Sequence, residues 1–104
     1  MDAATIGRNL SFEGLCETVA PIAEKYGADS IYLFGSRARG DNTDDSDYDF
    51  YVILGQIKGM KLCGLFRELE ETLGRGIDIV TDGARLGDDF SQEIFREMRL
   101  VYES

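Results

Sequence analysis

Two aspartates separated by one residue form the part of this sequence best suited to chemistry. Asp47 and Asp49 open a run of β-forming residues, and residues i and i+2 of a strand share a face. Their carboxylates would lie side by side, where like charges repel unless a cation lies between them. The chain has no histidine, and carboxylate oxygens alone suit Mg²⁺ or Mn²⁺. The pair indicates a metal site, and a solvent-exposed strand edge is the alternative interpretation.

A third aspartate lies in another apolar run. Asp78 stands between Ile77 and Ile79, and a carboxylate buried there without a partner would be costly. If its strand neighbours that of Asp47 and Asp49, three carboxylates converge. Metal pairs held by shared carboxylates are a common device for phosphoryl and nucleotidyl transfer. The alternative is that Asp78 also faces solvent.

A Gly-Ser turn and two arginines precede the paired aspartates. Gly35 would let a ligand approach the backbone closely, and Ser36 offers a hydroxyl and an N–H group that suit a phosphate. Arg37 and Arg39 follow at once as the only basic pair beside the acidic loop at 40–46, with which they could form salt bridges. The segment matches neither a Walker A motif nor a G-x-G-x-x-G fingerprint.

The composition narrows the function classes. The 104 residues include 11 Lys and Arg against 20 Asp and Glu, a net charge of −9. One domain over residues 1–104 is expected. The acidic balance argues against direct binding of nucleic acid or of an acidic membrane. The absence of histidine excludes Ser-His-Asp triads and His-ligated zinc.

The cysteines and the apolar segments bear on location. Cys16 and Cys63 are too few for a disulfide framework or a Cys₄ metal site, and we expect reduced, buried thiols. No signal segment or long apolar run is present, so we predict a cytoplasmic protein.

Hydrophobic periodicity predicts the order α, β, β, α, β, α. The predicted elements are a helix over 12–26 capped by Ser11, strands over 30–34 and 47–54, a helix over 62–73, a strand over 76–80, and a last helix of about three turns carrying Phe90, Ile94, Met98, Val101 and Tyr102. Loops are predicted at 40–46, 55–59 and 83–87, and residues 1–10 are expected to be loosely ordered. The fold class is α/β (α+β): a small mixed sheet of about three strands with helices packed on it.

The spacing of these motifs resembles a known family. Gly35-Ser36, ten intervening residues and Asp47-Tyr48-Asp49 are similar to the G-S-x₁₀-D-x-D signature of the DNA polymerase β-like nucleotidyltransferase superfamily. The string from Leu33 to Gly40, continued by 46–50, resembles its minimal nucleotidyltransferase (MNT) branch, and the likeness extends over about 22–80. It implies the polymerase β-like nucleotidyltransferase fold.

The resemblance also implies roles for individual residues. Gly35 and Ser36 would hold a nucleoside triphosphate, with Arg39 and less surely Arg37 on its phosphates. Asp47 and Asp49 would bind two Mg²⁺ ions, with Mn²⁺ as a substitute. Asp78 would bind the catalytic ion and help to deprotonate the acceptor hydroxyl.

The acceptor of the nucleotide is expected on another polypeptide. The chain ends about two dozen residues after Asp78, whereas larger relatives append a helical domain that holds the acceptor. Minimal members are paired with HEPN toxins as antitoxins and transfer AMP from ATP to a toxin tyrosine, which implies a hetero-oligomer. Two alternatives remain: a non-catalytic binding antitoxin, and nucleotidyl transfer to a small molecule such as an aminoglycoside.

Overall fold

The computed structural model describes residues 10–83 and 86–104. Its elements in chain order are α1 (Phe12–Tyr26), β1 (Ser30–Phe34), α2 (Ser36–Arg39), β2 (Tyr48–Ile53), α3 (Met60–Leu73), β3 (Ile77–Thr81), α4 (Asp88–Glu97) and β4 (Arg99–Glu103). The predicted loose order of residues 1–10 falls almost wholly outside the described residues, as do two positions of the predicted loop at 83–87.

Helix α1 begins and ends where its sequence indicates. The hydroxyl of Ser11 accepts a hydrogen bond from the N–H of Gly14 at 3.0 Å, and Gly27 ends the helix in the left-handed conformation. Pro21 lies within this single helix at an exposed position. The buried side chains of α1 include Leu15, Val19 and Ile22, the apolar stripe that the periodicity predicts.

The four strands form one mixed sheet in the order β3-β2-β1-β4. Strand β1 is antiparallel to both β2 and β4, whereas β2 and β3 are parallel, with α3 as the connection between them. The parallel register sets Asp49 of β2 opposite Asp78 of β3. This confirms the predicted class of a small mixed sheet with packed helices.

The two faces of the sheet are covered differently. Helices α1 and α3 pack on one face, where Phe50, Leu65 and Leu69 are fully buried. The other face carries a smaller cluster centred on Phe34, Tyr51 and Ile94, the last of these from α4. The larger part of the hydrophobic core therefore lies between the sheet and its first two long helices.

The prediction of a last helix carrying Phe90 to Tyr102 was wrong at its C-terminal end. Helix α4 stops at Glu97, and Arg99–Glu103 pairs with β1 as a fourth strand. Met98 packs with the α4 cluster, whereas Val101 and Tyr102 pack with the main core on the other face of the sheet. A single helical stripe cannot reach both faces. Strand β4 turns the neighbours Val101 and Tyr102 to the same core because its register with β1 shifts at this point, as in a β-bulge.

Two further observations concern the thiols and the membrane. Cys16 is half-buried but Cys63 is exposed on α3, so the expected burial was wrong for Cys63, which lies beside the apolar stripe of its helix. In the described part of the chain, no helix has the length and apolar character needed to cross a membrane.

Candidate active site

The three predicted carboxylates share one face of the sheet. Asp49 lies in β2 directly opposite Asp78 of β3, and Asp47 lies two residues before Asp49. The intervening Tyr48 is turned into the main core, and its N–H donates to the carbonyl of Gly76 at 2.9 Å. The alternation of β2 therefore sends Asp47 and Asp49 to the face opposite α1 and α3.

Burial and the closeness of these carboxylates alter the acidity of Asp49. Burial is the main cause that raises the pKa of Asp49 from its ordinary value of 3.8 to about 6. The charge of Asp78, a hydrogen bond with it, and the charge of Asp47 act in the same direction, and Arg39 opposes them. In the absence of a cation, the carboxyl group of Asp49 therefore stays largely protonated at mildly acidic pH.

The carboxylates of Asp47, Asp49 and Asp78 suit a divalent cation that prefers oxygen ligands. A bound cation would offset the burial and the carboxylate repulsion that together raise the pKa of Asp49. Over residues 10–83 and 86–104, no three acidic or thiol side chains are arranged as a ready-made metal site. Mg²⁺ fits this situation, because it commonly uses one or two carboxylates together with water and substrate phosphates rather than an all-protein cage.

Two glycines give the aspartates the space they occupy. Gly35 has a positive φ of 76°, and a Cβ added there would collide with Oδ2 of Asp49. A Cβ at Gly76 would collide with Oδ1 of Asp47 in the same way. Gly35 belongs to the predicted motif, but the role of Gly76 depends on the pairing of β2 with β3, for which the sequence carries no local signal.

The Gly-Ser turn lies beside Asp49 and is held by α4. Ser36 begins the short helix α2, and the carbonyl of Gly35 accepts hydrogen bonds from Ala38 and Arg39 at 3.1 Å. The N–H of Gly35 donates to Oε1 of Glu97 at 3.1 Å. The structure thus brings Gly35 and Ser36 to the end of the sheet that carries the aspartates.

Arg39 is engaged in ion pairs. Its Nη1 donates to both carboxylate oxygens of Glu97 at 3.1 Å, and its Nε donates to Oδ2 of Asp41 at 3.1 Å. These hydrogen bonds raise the pKa of Arg39 further. Of the two roles considered for Arg39, the salt bridge with the acidic loop is present, and Glu97 is a partner that no motif indicates.

Arg37 points away from the aspartates. Its Nε and Nη2 donate to the carbonyl of Ser46 at 3.0 and 2.8 Å, and its guanidinium lies 4.2 Å from the centre of the Tyr48 ring. That ring packs on the face opposite Asp47 and Asp49. Arg37 thus fastens the acidic loop that leads into β2, and the structure does not bring it to the carboxylates.

An open pocket of about 380 Å³ adjoins the carboxylates. Asp49 and Asp78 form its acidic part, and its remaining lining is Phe34, Ile79, Val80 and Phe90. Phe90 of α4 meets Phe34 edge-to-face, with ring centres 6.3 Å apart. A ligand with an aromatic ring, bound together with a cation, would match this lining.

Comparison with known proteins agrees with this geometry. The family model described as "Polymerase beta, Nucleotidyltransferase" matches residues 17–104. The protein adenylyltransferase MntA of Thermococcus cleftensis is 32% identical over 81 residues, which span 77% of this chain and 81% of that protein.

Solved structures extend the comparison. A structure described as that of a candidate minimal nucleotidyltransferase superposes with a TM-score of 0.71 and 29% identity, and the match covers 95% of both chains. A chain in the structure of a tri-AMPylated Shewanella oneidensis HEPN toxin with its MNT antitoxin has a TM-score of 0.66 over 90% of this chain and 74% of that one. At 15% identity it shows the shared fold alone. The chain therefore belongs to the polymerase β nucleotidyltransferase family, in its minimal nucleotidyltransferase branch.

Proposed function

We propose that this chain is a metal-dependent adenylyltransferase that transfers AMP from ATP to a tyrosine hydroxyl of a HEPN-type toxin in the cytoplasm, and so acts as an antitoxin. The observation that carries the proposal is the in-register pair Asp49 and Asp78, with Gly35 packed against Asp49. The Thermococcus relative is named a protein adenylyltransferase, and the Shewanella complex joins an MNT antitoxin to an AMPylated HEPN toxin.

Each site residue has a role in this proposal. Asp47, Asp49 and Asp78 would hold two Mg²⁺ ions, for which Mn²⁺ could substitute. When bound, the ions would supply positive charge to the phosphate oxygens. Gly35 and Ser36 would hold the triphosphate. Arg39 would join them only by exchanging its partners Glu97 and Asp41 for phosphate oxygens.

The transfer is an in-line displacement at phosphorus. The tyrosine oxygen forms a bond to the α-phosphorus, and the bond from that phosphorus to the bridging oxygen breaks. Pyrophosphate leaves with the electron pair, and Asp78 accepts the proton of the hydroxyl as a general base. Asp78 suits this role because it lines the pocket that also offers Phe34 and Phe90 to an aromatic ring.

Intact mass of the toxin tests the proposal directly. The purified chain is incubated with ATP, Mg²⁺ and the product of the neighbouring gene, and we expect that protein to gain adenylyl groups. A variant with Asp47→Asn and Asp49→Asn should produce no adduct. Asp45→Asn removes a charge from an exposed position of the same loop and should retain transfer. Absence of any adduct with the unaltered chain would overturn the proposal.

The same variants separate the two alternatives. A purely binding antitoxin would still neutralise the toxin when Asp47 and Asp49 are replaced, whereas an enzyme would not. Transfer to a small molecule would instead appear as pyrophosphate release with hydroxyl-bearing compounds, aminoglycosides among them, in the absence of any toxin.

A further inference from the structure

We propose that Glu97 is a positioning residue of the nucleotide site. Its carboxylate fixes the turn formed by Gly35 and Ser36 beside Asp49, where the triphosphate would bind. This role rests on the proposed transfer of AMP, because that function places the triphosphate at the same turn. Glu97 lies in α4, 62 positions along the chain from Gly35.

The first observation is the place of Glu97 on its helix. Phe90, Ile94 and Glu97 follow one another at intervals of four and three residues, so they lie on one face of α4. Ile94 is 1% exposed, and Phe90 meets Phe34 of β1 edge-to-face. The packing of Phe90 and Ile94 therefore turns Glu97 toward the sheet, and only 16% of its side chain is exposed.

The second observation is what the carboxylate of Glu97 binds. Its Oε1 accepts a hydrogen bond from the N–H of Gly35 at 3.1 Å, and both of its oxygens accept from Nη1 of Arg39 at 3.1 Å. A largely buried carboxylate is costly unless it is paired, and these donors pair it. The carboxylate thus joins α4 to both ends of α2, because Gly35 precedes that short helix and Arg39 is its last residue.

The third observation is the closeness of Gly35 to Asp49. A Cβ added to Gly35 would collide with Oδ2 of Asp49, so a small movement of the turn would change the space around that carboxylate. Glycine has more conformational freedom than any other residue, so contacts must hold the turn in one conformation. The hydrogen bond from Gly35 to Glu97 is such a contact. Glu97 therefore acts through Gly35, and Arg39 needs no contact with phosphate for this role.

A competing role for Glu97 would have the opposite effect on ATP binding. The carboxylate accepts from donors that a phosphate could also use. If it competed with the triphosphate for them, its removal would strengthen ATP binding. In the positioning role, the loss of its acceptor oxygens releases the turn, and ATP binding weakens.

Two variants of similar side-chain length isolate the acceptor oxygens. Glu97→Gln and Glu97→Met both remove the negative charge, but only glutamine keeps an oxygen that can accept from Gly35 and Arg39. Calorimetry of the full chain with ATP and Mg²⁺ gives the Kd of the nucleotide. We expect the Kd of Glu97→Met to exceed that of Glu97→Gln by about tenfold, the effect of losing one such hydrogen bond. Glu93→Met makes the same change at an exposed position of α4 and should leave the Kd nearly unchanged.

Steady-state rates distinguish positioning from a loss of folded protein. With the product of the neighbouring gene as acceptor, Glu97→Met should raise the KM for ATP by the same factor and leave the KM for the acceptor unchanged. A purely structural residue would lower the active fraction, which reduces the apparent kcat and leaves both KM values as they are. The amide NMR signal of Gly35 should shift in Glu97→Met and stay near its original position in Glu97→Gln.

Equal Kd values for folded Glu97→Gln and Glu97→Met would overturn the proposal, because the acceptor oxygen would then have no effect. Tighter binding of ATP by Glu97→Met than by the unaltered chain would also overturn it, and would mean that Glu97 competes with the phosphates. If the unaltered chain transfers AMP, either result leaves the proposed function intact. Absence of both ATP binding and transfer in the unaltered chain would overturn the proposed function and the role of Glu97 together.

Discussion

At the scale of single residues, the ionised form of Asp49 is destabilised by burial and by the two other carboxylates on the same face of the sheet. Because its pKa is raised from 3.8 to about 6, the folded chain binds more protons than the unfolded chain between these values, and stability falls as the pH rises through them. In the metal-free chain we expect Asp49→Asn to raise the free energy of unfolding by about 1 kcal/mol at pH 7.5, a figure reduced for solvent screening of a half-exposed group.

Denaturant unfolding at two pH values measures this effect. At pH 4 the carboxyl group of Asp49 is protonated in the folded chain, so Asp49→Asn should change stability little there. Glu71→Gln on the exposed side of α3 serves as the control, and its effect should be small at both pH values. An equal gain from Asp49→Asn at pH 4 and pH 7.5 would contradict the electrostatic explanation.

Gly35 offers a second prediction at this scale, with Gly40 as its matched control. Both residues have positive φ values, 76° and 85°, so alanine introduces backbone strain at each, and more at Gly35, whose ψ of −158° lies in a region essentially confined to glycine. Only at Gly35 would the new Cβ collide with Asp49, because Gly40 has no atom within 4 Å of that position. We expect Gly35→Ala to weaken Mn²⁺ binding strongly and Gly40→Ala to leave it nearly unchanged, as measured by calorimetry. Similar affinities for the two variants would mean that Gly35 does not set the position of Asp49.

At the scale of elements, β4 shows how side-chain burial separates a strand from a helix. Val101 is 6% exposed, whereas its neighbour Leu100 is 44% exposed. We expect Val101→Ala to lower the free energy of unfolding by about 2 kcal/mol, since it leaves a cavity in the main core. Leu100→Ala should change it by less than about 0.5 kcal/mol. Comparable losses at both positions, measured by denaturant unfolding, would conflict with the alternation of an edge strand.

The elements also show which parts of the fold and site the sequence can specify. Helices α1 and α3 follow from their apolar stripes and from the glycines that end them, and β1 to β3 follow from short apolar runs. The spacing of Gly35-Ser36 and Asp47-Tyr48-Asp49 likewise indicates that the Gly-Ser turn lies beside Asp49. Glu97 and Gly76 could not be predicted, because their roles arise from the contact of α4 with the Gly35 turn and from the register of β2 with β3. The end of α4 was missed because Met98 and Val101 keep helical spacing although they pack on opposite faces of the sheet.

At the scale of the whole molecule, the acidic charge is concentrated where the proposal places metal ions. Five of the twenty acidic residues fall within residues 41–49, and the loop that carries them is fastened by main-chain hydrogen bonds. Arg37 donates to the carbonyls of Ser46 and Asp44, and Arg75 donates to that of Asp44. In these hydrogen bonds the acceptors are carbonyl oxygens, whereas Arg39 pairs with the carboxylate of Asp41. Two divalent ions would offset four of the nine net negative charges.

Thermal unfolding with and without Mn²⁺ tests this distribution of charge. An ion that binds only the folded chain stabilises it by about 2.7 kcal/mol at a concentration one hundred times its Kd. We therefore expect Mn²⁺ to raise the Tm of the unaltered chain and of Asp45→Asn. The increase should be largely absent in Asp49→Asn, even though that variant is the more stable one without metal. An equal rise of Tm in all three proteins would mean that Mn²⁺ responds to the overall net charge of −9 and that the carboxylates of β2 and β3 do not form a specific site.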